Sequence, residues 1–120
     1  MSEDVVREVL DEWKAGIDTH DPGQVAEVFT EDAIFQGLRP YSVGRAGVRD
    51  YYASQPLGLT VQYRILQSRT PAEGVVLGYT QADFTFVDGS TISLNLSVLV
   101  THTDDRWRIA HYQASPVPSN

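Results

Sequence analysis

Arg106-Trp107-Arg108-Ile109-Ala110-His111-Tyr112-Gln113-Ala114-Ser115, close to the end of the chain, decides how the rest must fold. It reads as a long β-strand. Thr103-Asp104-Asp105 precedes it as a turn, and before that turn Ile92 to Thr101 alternates apolar with polar residues. Two such runs joined by an Asp-rich turn make an antiparallel hairpin. Upstream, Thr60 to Ser68 and Val75 to Val87 have the same character. Their turns are Thr70-Pro71-Ala72-Glu73-Gly74 and Asp88-Gly89. The second half is therefore a meander of four strands.

The first half repeats with a helical period. Val5, Val6, Val9, Leu10, Trp13 and Ile17 predict a helix that runs to about Thr19, with Ser2 as its N-cap. His20-Asp21-Pro22-Gly23 breaks it, and Asp21 can cap a second helix with Pro22 in its first position. Val25, Ala26, Val28 and Phe29 form that helix's buried side, and Thr30-Glu31-Asp32 ends it. A short strand at Ala33-Ile34-Phe35, a loop from Gly37 to Gly44 and a third helix from Arg45 to Ser54 follow. Helices first and strands afterwards is the α+β pattern, helices packed on one face of an antiparallel sheet.

Composition narrows the function classes. The 120 residues fit one domain, 1–120, with 116–120 as a loose tail, and 42% apolar residues suffice for one core. A formal net charge of −7 argues against a nucleic-acid partner, which needs clustered Lys and Arg. The absence of cysteine excludes disulfides and zinc-thiolate sites. No apolar run reaches the roughly 18 residues of a membrane span, and the N-terminus lacks signal-peptide blocks, so the expectation is a cytoplasmic protein with no membrane partner. His20, His102 and His111 have no metal-ligand spacing, and no Gly-rich phosphate loop is present, so neither metal nor cofactor is expected.

Three segments resemble the nuclear transport factor 2-like superfamily, and within it the SnoaL-like and SgcJ/EcaC-type small proteins. They are Trp13 to Asp21 continued by Val25 to Ala33, Val43 to Tyr52, and Asp105-Arg106-Trp107-Arg108-Ile109-Ala110-His111. Together they span nearly the whole chain. The resemblance implies a cone: a curved sheet wrapped around three helices, open at one end into a pocket. It also implies a homodimer packed through the outer face of the sheet. In ketosteroid-isomerase-like members a Tyr on the first helix and an Asp ending the first strand do the chemistry. The matching positions here are Trp13 and Gly37, and neither can do that job.

A two-residue turn at Asp88-Gly89 pairs Asp83 with Leu94, Gln81 with Leu96 and Tyr79 with Val98. A three-residue turn at Thr103 to Asp105 pairs Val98 with Ala110, Leu96 with Tyr112 and Leu94 with Ala114. Paired residues share a face. The face suited to the concave side is then Tyr79, Gln81, Asp83, Leu94, Leu96, Val98, Ala110, Tyr112 and Ala114. Phe84, Phe86, Ser93, Asn95, Ser97, Leu99, Trp107, Ile109, His111 and Gln113 face outward. Trp13, Ile17, Phe29, Phe35, Tyr41 and Tyr52 complete an apolar, aromatic pocket for a small hydrophobic molecule.

Asp83 is the candidate base, because a carboxylate turned inward among aliphatic residues would be desolvated and its pKa raised. The alternative is an ion pair or water contact at the sheet edge. Tyr52 and Tyr112 could donate to an enolate oxygen, or be core aromatics whose hydroxyls are satisfied locally. The reading is a SnoaL-like protein binding a small hydrophobic ligand, with cofactor-free isomerase or cyclase chemistry beside a carbonyl in secondary metabolism. The alternative is a non-catalytic ligand-binding or oligomerisation module.

Overall fold

The computed structural model describes residues 1–118. Helices α1 (Ser2–Asp18) and α2 (Pro22–Glu27) lead into strand β1 (Phe29–Gln36). A two-residue strand β2 (Ser42–Val43) and helix α3 (Arg45–Ala53) follow. The meander is β3 (Thr60–Ala72), β4 (Val75–Thr85), β5 (Thr91–Thr103) and β6 (Arg106–Pro116). The six strands form one curved, open sheet in the order β2-β1-β6-β5-β4-β3. Every pairing is antiparallel except β1 with β6, which is parallel. The α+β architecture expected from the sequence is present, with a mixed rather than wholly antiparallel sheet. Among the described residues, no helix is long and apolar enough to cross a membrane.

Local chemistry explains the element ends. The Asp21 side chain accepts from the Gln24 backbone N–H at 3.1 Å, and Pro22 opens α2 as its missing donor allows. Ser2 does not cap α1. It is the helix's first residue, and its hydroxyl shares a 2.8 Å hydrogen bond with the Ser68 hydroxyl on β3. Residues 29–32 belong to β1 rather than to α2, since the neighbouring β6 supplies them with ladder partners: the Ile109 N–H reaches the Val28 carbonyl at 2.8 Å. Pro116, expected in a loose tail, is instead the last residue of β6 and pairs with Leu94; the rest of that expectation, at 119–120, lies outside the described residues.

One face of α1 lies on the concave side of the sheet. Val6, Val9, Leu10 and Trp13 are buried against β3 and β4. The helix rides so close that a Cβ on Gly78 would lie 2.9 Å from both Val6 methyls. Asp18 locks the far end: its carboxylate accepts from the Val61 N–H at 3.0 Å and from Lys14 Nζ at 2.7 Å, while Lys14 also donates to the Val61 carbonyl.

Two register details change which residues face inward. The β4–β5 turn has three residues, Val87-Asp88-Gly89, not two. The Phe86 N–H reaches the Ser90 carbonyl at 2.9 Å, the Gly89 N–H returns to the Phe86 carbonyl at 2.8 Å, and Gly89 sits at φ 90°. This is the three-residue hairpin in which glycine takes the left-handed position. The pairing therefore shifts by one residue: Asp83 meets Ser93, Gln81 meets Asn95, and Tyr79 meets Ser97. A one-residue shift turns every side chain of the strand to the other face. Tyr79, Gln81 and Asp83 lie on the outer face, and Thr80, Ala82 and Phe84 point inward. At the other hairpin the turn is the two residues Asp104-Asp105, and a bulge at Ala110 restores the expected inward face beyond it. Val98 pairs with Tyr112 and Leu96 with Ala114. Because of the bulge, Ile109 and Tyr112 are both buried although they are three residues apart. Ala110, expected inside, is the extra residue, and Ile109, expected outside, is core. Trp107, also expected outside, packs against the core and edge-on to His102.

Candidate functional site

Between α3 and the curved sheet lies a cavity of about 40 Å³. Tyr51, Tyr52 and Gln55 come from α3 and the turn after it, Leu59 from the approach to β3, and Leu38 from the loop after β1. The sheet contributes Phe84, Phe86, Ile92, Leu94, Tyr112 and Ala114. None of these is a carboxylate, a histidine, a lysine or an arginine. An apolar wall with few polar groups is the usual make-up of a small-molecule site. A void of about 10 Å³ lies behind it, bordered by Ile17, His20 and Tyr52 among others.

Below the cavity the cone is filled by aromatic rings. Tyr112 stacks on Phe35 with centroids 4.7 Å apart and planes 21° from parallel. Phe29 meets Phe35 edge-on at 5.6 Å, and Trp13 meets Phe84 edge-on at 5.9 Å. Edge and offset contacts of this kind hold the rings in place beyond what area burial alone does.

The hydrogen bond between Trp13 and Tyr52 has a fixed direction. An indole N–H can only donate, so the Tyr52 oxygen accepts from Trp13 Nε1, at 3.0 Å. The Tyr112 hydroxyl lies close enough to that of Tyr52 for each to influence the other's titration. Tyr112 lines the cavity, where a phenol can donate to an entering oxygen. Burial, the largest cause, pushes both hydroxyls well above the usual tyrosine range. At neutral pH they are donors, not bases.

The candidates separate into three groups. Tyr52 and Tyr112 border the cavity. Trp13, Phe29, Phe35, Leu96 and Val98 are packed core below its walls, and Ile17 borders the smaller void. Asp83, Gln81 and Tyr41 are elsewhere. The Asp83 carboxylate, on the outer face, accepts from the Ser93 hydroxyl at 2.6 Å. Gln81 Oε1 accepts from Arg64 Nη2 at 2.9 Å on that same face. Tyr41 is 65% exposed in its loop. Phe84 and Phe86, assigned to the outer face by the two-residue turn, are cavity walls instead; Asp88-Gly89 suits a two-residue turn and the end of a three-residue one alike. Tyr51 was also missed as a wall. Its hydroxyl accepts from the Leu38 N–H at 3.2 Å, and its ring covers Gly37, where a Cβ would lie 2.5 Å from Tyr51 Cζ. The space in which a side chain at position 37 could act is filled.

The sequence model of the SnoaL-like domain matches residues 6–119. No curated protein matches the chain in sequence. Solved structures resemble it in fold at low identity. A cystatin-like domain of unknown function from Nostoc punctiforme is 14% identical with a TM-score of 0.87, over 98% of this chain and 78% of that one. An NTF-2 like protein of unknown function from Shewanella oneidensis is 16% identical with a TM-score of 0.82, over 96% and 99%. A ketosteroid isomerase-like protein from Erwinia carotovora atroseptica is 17% identical with a TM-score of 0.77, over 97% and 96%.

Proposed function

The chain belongs to the SnoaL-like domain family, and we propose that its cavity binds the oxygen-bearing end of a small, largely apolar molecule, with Tyr112 donating to the oxygen. The observation that carries this reading is the pair of buried, protonated phenols, Tyr52 and Tyr112, in the wall of an otherwise apolar cavity. Tyr52 is held at the wall by the indole N–H that its oxygen accepts.

Binding is favoured over proton abstraction because the cavity wall carries no group that is a base at neutral pH. Asp83 cannot serve from the outer face, and both tyrosines hold their protons. The outer face of β4–β6 carries Leu77 and Tyr79, each more than a third exposed, among short uncharged side chains such as Asn95 and Ser97. This composition supports a second copy of the chain as the partner there, and sedimentation tests it: a monomer at micromolar concentration refutes the dimer.

The test of the binding reading is an NMR titration with 2-butanone, whose oxygen-bearing end is small enough for the cavity. Saturable shifts should centre on Tyr112, Phe84 and Leu94. Tyr112→Phe should weaken binding by about five- to tenfold, the effect of one neutral hydrogen bond, and Asp83→Asn should not change it. Equal affinity in the Tyr112→Phe protein would refute the role of Tyr112.

A further inference from the structure

The cavity is too small for the molecule its surroundings suggest. A dry cavity of about 150 Å³ takes a benzene ring, and this one has about 40 Å³. It has room for a few heavy atoms. The apolar surface, however, does not stop at the cavity mouth. Leu38 and Ile92 belong to its wall yet are 52% and 41% exposed. In the adjoining turns Leu57 and Val87 are 72% and 83% exposed. Phe86 is shared between the cavity and a shallow depression formed with Pro56 and Val87. Apolar groups clustered in the open around a cavity mark a binding surface.

The rim is held in place from both sides. The loop carrying Leu57 and Gly58 touches the β4–β5 turn: a Cβ on Gly58 would lie 3.2 Å from Val87 Cβ. The acidic residue of that turn, Asp88, borders the depression together with Ser90, and its carboxylate is engaged there. Asp88 Oδ1 accepts from the Ser90 N–H at 2.9 Å and from the Ser90 hydroxyl at 2.7 Å. Of the residues that border the depression, Pro56, Phe86, Val87 and Ser90 are uncharged, and Asp88 is the acidic one.

We propose that the ligand is a neutral amphiphile longer than the cavity: an uncharged oxygen head (ketone, aldehyde, ester or alcohol) beside Tyr112, and an apolar tail lying over Leu38, Leu57, Phe86, Val87 and Ile92. This rests on the binding reading above and specifies its ligand. Continuity supports the tail, since the same residues are cavity wall and exposed rim. The chemistry of the wall supports the neutral head. A carboxylate head would be buried without a cation, because no Lys or Arg lines the cavity, and an unpaired buried charge is heavily penalised.

Calorimetric or NMR titration with 2-alkanones from 2-butanone to 2-nonanone, and with nonanoate, tests this. Affinity should rise about two- to fourfold per added methylene, the lower figure for one-sided contact with the rim. Nonanoate should bind at least about tenfold more weakly than 2-nonanone, a charge-burial effect. Val87→Ser and Leu57→Ser, both at exposed positions, should narrow the affinity ratio of 2-nonanone to 2-butanone. Binding of 2-butanone with no gain from longer chains would overturn the tail and leave the cavity reading standing. No binding of any ketone would overturn both. Nonanoate binding as tightly as 2-nonanone would overturn the neutral head. A change of sedimentation in the rim variants with an unchanged ketone series would assign the rim to contact between chains instead.

Discussion

Replacing Tyr112 by Phe should change how stability depends on alkaline pH, in an amount set by one proton. The Tyr112 hydroxyl is buried and neutral in the folded chain, and its titration is pushed well above the ordinary value near 10. In the unfolded chain it titrates near pH 10. The folded state thus holds a proton that the unfolded state gives up. Stability from this group is fully present below pH 10 and is lost as pH rises from there toward the folded value. The linkage slope is about 1.4 kcal/mol per pH unit for one such group. Tyr112→Phe lacks that slope. At pH 7 the variant should be less stable than the parent by about 1 kcal/mol, the loss of a neutral hydrogen bond. Above pH 10 the deficit should shrink by about 1.4 kcal/mol per unit and vanish near pH 11. Urea unfolding at pH 7, 9, 10, 10.5 and 11, followed by far-ultraviolet circular dichroism, measures it. A deficit that stays constant between pH 9 and 11 would refute the burial of the Tyr112 hydroxyl, and with it the donor role at the cavity.

Three further perturbations follow from the packing. Phe84→Ala should cost about 3 kcal/mol, the range for a buried aromatic ring, whereas Asp83→Ala should cost less than about 1 kcal/mol, one exposed-side hydrogen bond; denaturant unfolding in which the order is reversed would restore the two-residue turn. Gly78→Ala should cost about 1–3 kcal/mol through overpacking against Val6, and an unchanged midpoint would show that α1 sits farther from β4. Asp18→Ala removes the charged acceptor of the Val61 N–H and should cost about 2 kcal/mol; amide exchange at Val61 as slow as in the parent would refute the lock between α1 and β3.

Most of the fold was legible because it rests on short-range pattern. The period of Val6, Val9, Leu10 and Trp13 sets the buried face of α1. Asp21 followed by Pro22 places the start of α2 by capping chemistry that needs no distant partner. The alternation from Ile92 onward gives the strand and, on its own, the inward face of Leu94, Leu96 and Val98. The extent of β1 was less legible, since its ladder partner is β6, about 80 residues further along the chain. The wall residue Tyr51 was hidden for a similar reason. Its role comes from covering Gly37, and no spacing within α3 announces that contact.

What the sequence by itself determined is the class of each segment and the residues that must be buried somewhere, because helical and strand periods and caps are local properties. What only the tertiary structure decided is which face of β4 closes on the helices and which phenols border the cavity. Three residues in the turn after Phe86, rather than two, send Asp83 outside and Phe84 inside. One extra residue at Ala110 puts Ile109 and Tyr112 on the same side. Each is a shift of a single residue, small in sequence. Because strand side chains alternate with a period of two, such a shift exchanges the two faces completely.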